Sequence, residues 1–80
     1  MERYFRIQNS EGWFEGEFVT LNEAISHLQA RNDEEIQHYI ESGIYKGWAI
    51  AEVQRINDGV SEVVSVHPFR YEYGHFQFTR

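Results

Sequence analysis

Glu15 and Glu17 stand two residues apart, and Asp33, Glu34 and Glu35 form an unbroken acidic run. Carboxylates at i and i+2 of a strand lie on one face, roughly 6 to 7 Å apart. A surface built this way offers a basic protein the charge density it meets on nucleic-acid phosphates. The residues that could form it are Glu11, Glu15, Glu17, Asp33, Glu34, Glu35 and Glu41. The same side chains also have a purely structural reading. Asp33, Glu34 and Glu35 fall where a helix would begin, and negative charge there is stabilised by the helix dipole whatever the function. Glu15 and Glu17 could simply solvate a sheet face.

Other chemistries find no support in the sequence. His27, His38, His67 and His75 have neither an i, i+4 helical pair nor a companion cysteine, so no metal site is expected. None of Ser10, Ser26, Ser42, Ser61 or Ser65 sits in a Gly-x-Ser-x-Gly elbow, and Gly43 with Gly47 lacks the Gly-Lys-Ser/Thr ending of a phosphate loop. The expectation is a non-enzymatic protein with no cofactor. The tail aromatics Phe69, Tyr71, Tyr73, Phe76 and Phe78 could stack bases, but the chain has no basic groove to hold a nucleic-acid backbone. They read instead as core, or as an edge strand completed by a second copy, which makes them the candidate oligomer interface.

Charge distribution sharpens this reading. The net charge of −6 resolves into +1 over residues 1–10, −7 over residues 11–45, where eight acids face Arg31 alone, and zero over residues 46–80. Such asymmetry disfavours nucleic acid and anionic membrane as direct partners and favours a basic protein surface. Eighty residues without cysteine predict one domain, 1–80, held by packing or by a second subunit. The opening MERYFRI has no long apolar run, so neither a signal peptide nor a membrane span is expected, and a cytoplasmic protein is the default.

The elements that must position these residues follow from pattern. RYFRIQ (3–8) and WFEGEF (13–18) read as a hairpin across Asn9–Gly12, with Ile7 opposite Phe14 and Phe5 opposite Gly16 on the core face. Arg6 with Glu15, and Tyr4 with Glu17, would share the outer face. Thr20-Leu21-Asn22-Glu23 is a capping box, and Leu21, Ala24, Ile25 and Leu28 form a helical stripe. Asn32 with Glu35 suggests a second cap, for a helix that stops at Gly43 with Ile44 folding back on Tyr39. The pattern leaves open one bent helix over 20–42 and favours two.

The hairpin 48–67 turns at Asp58-Gly59, a dipeptide suited to the mirror-image type I′ turn. That turn would set Arg55 opposite Glu62, Val53 opposite Val64 and Ala51 opposite Val66. The shallow face Ala49, Ala51, Val53, Val64 and Val66 is where a helix is expected to pack. Pro68 then starts a further strand or two. The class is α+β: an antiparallel sheet made of an N-terminal hairpin, a central hairpin and a C-terminal strand, with two helices packed on one face.

In size, acidity, lack of cysteine and hairpin-rich layout, the chain resembles the small acidic early proteins with which bacteriophages disable host proteins, the DNA-mimic inhibitor type. Tyr45-Lys46-Gly47-Trp48-Ala49-Ile50 is also similar to the Tyr-Lys-Pro-Trp-Ala-Leu segment of the uracil-DNA glycosylase inhibitor, with Gly47 in place of the proline. The resemblance implies a stoichiometric inhibitor in the bacterial cytoplasm that fills the basic DNA-binding surface of a host protein. A histone-like nucleoid protein and a DNA-repair enzyme are examples of such targets. A homodimer is compatible with it. The alternative is a structural protein that homo-oligomerises through its aromatic C-terminal strand.

Overall fold

The computed structural model describes residues 2–43 and 46–78. Strands β1 (Glu2–Gln8) and β2 (Phe14–Phe18) are followed by helices α1 (Leu21–Gln29) and α2 (Asp33–Glu41). Strands β3 (Ala49–Asn57), β4 (Val60–Glu72) and β5 (His75–Phe78) complete the chain. The five strands form one antiparallel sheet in the order β2-β1-β3-β4-β5. Both helices lie on one face of it, as the α+β reading requires.

The helices start where their caps lie. Thr20 Oγ1 accepts from the Glu23 N–H at 3.1 Å, and the Glu23 carboxylate accepts in turn from the N–H groups of Val19 and Thr20. Asn32 Oδ1 accepts from the Glu35 N–H at 2.8 Å, so 20–42 is two helices. After Ser42, the Gly43 N–H closes on the Ile40 carbonyl and the helix ends. The expected contact of Ile44 with Tyr39 lies outside the described residues.

The core sits between α1 and the sheet. Ala24 and Leu28 are fully buried against Ile7, Ile50, Trp48 and Phe69, with Phe5, Phe18, Leu21, Ile25, Phe76 and Phe78 packed around them. Ile7 pairs with Ile50, and Trp48 precedes β3 on the same side, its carbonyl accepting from the Phe69 N–H. The helix therefore covers the Ile50 face of the hairpin, opposite to the shallow face where it was expected. The reason is bulk: Ile7, Ile50, Trp48 and Phe69 together remove more apolar area from water than two alanines and three valines can. Ala49, Ala51 and Val53 are nonetheless buried. By register they are sunk between the taller Gln8, Arg6 and Tyr4 of β1 and Pro68, Val66 and Val63 of β4.

Both hairpins depart from the expected register. In the first, Asn9 Oδ1 accepts from the N–H groups of Glu11 and Trp13, and the Asn9 N–H reaches the Trp13 carbonyl, so the loop runs through Trp13. Gln8 then faces Phe14, Ile7 faces Glu15, and Phe5 faces Phe18 across an irregularity. Gly16 lies in that irregularity at φ +76°, and a Cβ there would come within 2.5 Å of the Phe18 ring. A glycine is what a bulge of this hand requires. Phe14 is thereby turned out of the core and stands 61% exposed. In the second hairpin Ala51 does face Val66, but extra residues at Val64 and at Ile56 set Val53 opposite Val63 and Arg55 opposite Ser61. Gly59 has positive φ and Asp58 does not, so the turn is not type I′. Positive φ at both central residues occurs instead at Tyr73-Gly74, between β4 and β5.

Candidate acidic interface

The structure divides the seven candidate carboxylates into two groups. Glu15, on the helix side of β2, is clamped by the Arg31 guanidinium and by His27 Nε2 at 3.0 Å. Arg31 is itself largely buried and lies over the Tyr39 ring, its carbon 4.9 Å from the centroid. Glu17 emerges on the opposite face, because the bulge at Gly16 reverses the alternation. There it accepts from Arg55 at 2.8 Å. Arg55 also donates to Glu2 at 2.8 Å and lies 4.8 Å over the Tyr4 ring. These hydrogen bonds and charges, that to Glu2 foremost, raise the Arg55 pKa further above its ordinary value. Glu15 and Glu17 thus share no face, and each is spoken for by the protein's own cations.

The second group is α2. Asp33, Glu34, Glu35 and Glu41 lie on a helix that contains no Lys or Arg. None of the four makes an ion pair among the described residues. Asp33 accepts from the Tyr71 hydroxyl at 3.2 Å, which ties the start of α2 to β4. Partial burial, and after it the Asp33 carboxylate, hold the Tyr71 pKa above its ordinary value. Only Ile36 of α2 is fully buried, and the remaining carboxylates project to solvent. Glu34 and Glu41, seven residues apart, occupy one side of the helix about 10 Å from each other. Glu11 lies in the first hairpin loop, whose Ser10 N–H donates to the Lys46 carbonyl just beyond the C-terminal end of α2.

The aromatic tail is mostly internal. Phe69 is buried, with Trp48, Phe76 and Phe78 around it at ring-centroid distances of 5.4, 5.8 and 5.5 Å. Tyr71 packs on Phe76 at 5.0 Å. As an oligomer surface the five aromatics therefore reduce to Tyr73, 89% exposed at the turn, and to the outer parts of Tyr71, Phe76 and Phe78. Phe69 is excluded because its own protomer fills the space around it.

Two features escaped the sequence reading. Arg31 was the lone cation in an acidic stretch, and that isolation was a signal that it is matched to one carboxylate. Arg55, between Glu2 and Glu17, depends on a β1–β3 pairing that no local pattern reveals. Gly47 has φ +64°, which a proline ring cannot adopt, and a Cβ there would meet the Ser10 side chain at 2.7 Å. The Gly-for-Pro difference from the inhibitor segment is thus a difference of backbone.

A hollow of about 350 Å³ opens between the helix junction and the β4–β5 turn, lined by Arg31, Asp33, Ile36, Tyr71, His75 and Phe76 among others. Within its lining the Tyr71 hydroxyl donates to Asp33, and the Arg31 guanidinium donates to Glu15. Among the described residues no three His, Asp or Glu side chains are grouped to hold a metal ion, and no helix is long and apolar enough to cross a membrane. No protein-family model matches this chain, and no curated protein or solved structure matches it.

Proposed function

We propose that this protein is a non-enzymatic interaction module that sets the exposed side of α2 against a basic surface of a partner protein, in competition with nucleic acid. The observation that supports the reading is the uncompensated charge of α2: four carboxylates, no Lys or Arg in the helix and no ion pair among the described residues. Long-range attraction needs such charge, because a carboxylate already paired with arginine contributes little field. The partner class is a basic nucleic-acid-binding protein, and the setting that fits is the cytoplasm of a bacterial host in which a phage-type inhibitor acts. Glu34, Glu35 and Glu41 carry the contact, with Asp33 and Glu11 at its two ends. Glu15 and Glu17 belong to the scaffold.

The test is capture of partners from bacterial lysate on the tagged protein, followed by titration of the purified partner. Affinity should fall steeply with salt, and duplex DNA should displace the protein. The double reversal Glu34→Lys with Glu35→Lys should weaken binding by about tenfold or more and flatten the salt dependence. Unchanged affinity in that variant would remove α2 as the contact surface.

A further inference from the structure

On the sheet face away from the helices, one arginine holds no acid. Arg3, Arg31, Arg55 and Arg70 each meet a carboxylate, whereas Arg6 makes no ion pair among the described residues. The sequence pattern set Glu15 beside Arg6, but the shifted register of β1 with β2 turns Glu15 to the helix side, where Arg31 holds it. Phe14 stands in its place. The Arg6 guanidinium carbon lies 4.7 Å from the Phe14 ring centroid, and Arg6 Nε donates to Gln8 Oε1 at 3.0 Å. These contacts fix the group without neutralising it.

Beside the guanidinium a hollow of about 350 Å³ is lined by Tyr4, Arg6, Phe14, Gly16 and Glu17. With Nε given to Gln8, the edge of the guanidinium left for a ligand is the one formed by Nη1 and Nη2, which matches two coplanar oxygens. Stacking on Phe14 shields one face of the cation from water and leaves that edge to an incoming anion. The second charge in the lining selects among anions. Glu17 is paired with Arg55 at 2.8 Å, yet a ligand with two negative charges would still meet it as a like charge, so a carboxylate suits the hollow better than a phosphate dianion. The Phe14 and Tyr4 rings supply flat apolar surface for a planar body.

We propose that this hollow binds a small aromatic monocarboxylate, its two oxygens on Nη1 and Nη2 of Arg6 and its ring against the exposed parts of Phe14 and Tyr4. The site lies on the opposite side of the sheet from α2 and does not depend on the acidic-surface reading. The net charge of −6 opposes an anion at long range, so recognition is by contact and the dissociation constant is on the order of 1 mM.

Titration of the whole chain with sodium benzoate at low ionic strength, followed through the Arg6 Nε–H and backbone amide resonances in nitrogen-15 NMR, tests this. The expected result is a saturable shift centred on Arg6, Gln8 and Phe14. Benzamide has the same ring without the charge, and it should bind the unaltered protein about tenfold more weakly or worse. Arg6→Lys keeps the charge and loses the fork, and should weaken benzoate about fivefold. Arg6→Gln should abolish the shift at Phe14 while its other amide resonances stay in place. Shifts that rise without saturating, benzamide binding as tightly as benzoate, or an Arg6→Lys variant as tight as the parent protein would each overturn the proposal. The first two of these need no variant, so they stand even where a substitution disturbs β1.

Discussion

The carboxylates of β2 and those of α2 come from the same acidic half of the sequence, yet they serve different ends. Glu15 and Glu17 are each held by an arginine supplied from a distant element, Arg31 after α1 and Arg55 on β3. The four acids of α2 meet no arginine or lysine among the described residues. Part of the net charge is therefore structural and part is presented to solvent. The difference teaches that a charge count along the chain overstates the charge a partner would feel. Only carboxylates without an internal cation act at a distance.

Removing the clamp on Glu15 should break the comparison most severely. Arg31→Met would keep most of the stem packing on Tyr39 and strand a largely enclosed carboxylate beside α1. Loss of one partner from a buried pair costs 3–5 kcal/mol, and the partial exposure of Glu15 reduces the expectation to about 2 kcal/mol. Urea denaturation of Arg31→Met, Glu15→Gln and the double variant reads this directly. The double variant should be more stable than the two single losses predict, because neither charge is then left alone. Strict additivity would mean that the pair is held apart in solution. The same cycle on Arg55 and Glu17, an exposed pair, should give a much smaller coupling.

Much of the fold was legible because its signals are local. The Thr20–Glu23 box, the Asn32 cap and the stop at Gly43 each depend on residues within one turn, and each is present. Strand register was not legible, because it was decided by side-chain hydrogen bonds and bulges that period-two patterns do not encode. Asn9 lengthens the first loop by taking two backbone N–H groups, and the shifted register turns Phe14 away from the core and Glu15 to the helix side of the sheet. The hairpin face was misjudged for a related reason. Alanines suggested room for a helix, but the long-range pairing of Ile7 with Ile50 supplied a larger apolar surface on the other side. For the site, the sequence located the acidic stretch and could not say which acids would find an internal cation.

On α2 the same comparison can be sharpened with smaller effects. If its carboxylates are free, their contribution to stability should follow only the helix dipole. Glu34→Gln, in the first turn, should destabilise the protein by about 0.3–0.5 kcal/mol, and Glu41→Gln, in the last helical residue, should stabilise it by a similar amount. Both effects should shrink in high salt. Equal losses at the two positions would point to unrecognised partners and would place these acids with Glu15.

Asp33 is the member of the α2 group that touches the sheet, and its contact has its own titration signature. The Tyr71 phenol is held above its ordinary pKa first by partial burial and then by the Asp33 carboxylate it donates to. A folded-state pKa above the unfolded one means that the neutral phenol contributes stability below the unfolded value, about 10, and that this is lost as pH rises through the folded value. Replacing Asp33 with Asn keeps an acceptor for the hydroxyl and removes the charge. The alkaline midpoint of Tyr71, isolated as the difference from Tyr71→Phe in the phenolate absorbance, should therefore fall in Asp33→Asn. It should remain above the ordinary value, because burial, the larger cause, is untouched. A midpoint that does not move would mean that the start of α2 is not held against β4 in solution. The helix would then be free to rotate its acidic side, and Asp33 would join Glu34 and Glu35 as part of the presented surface.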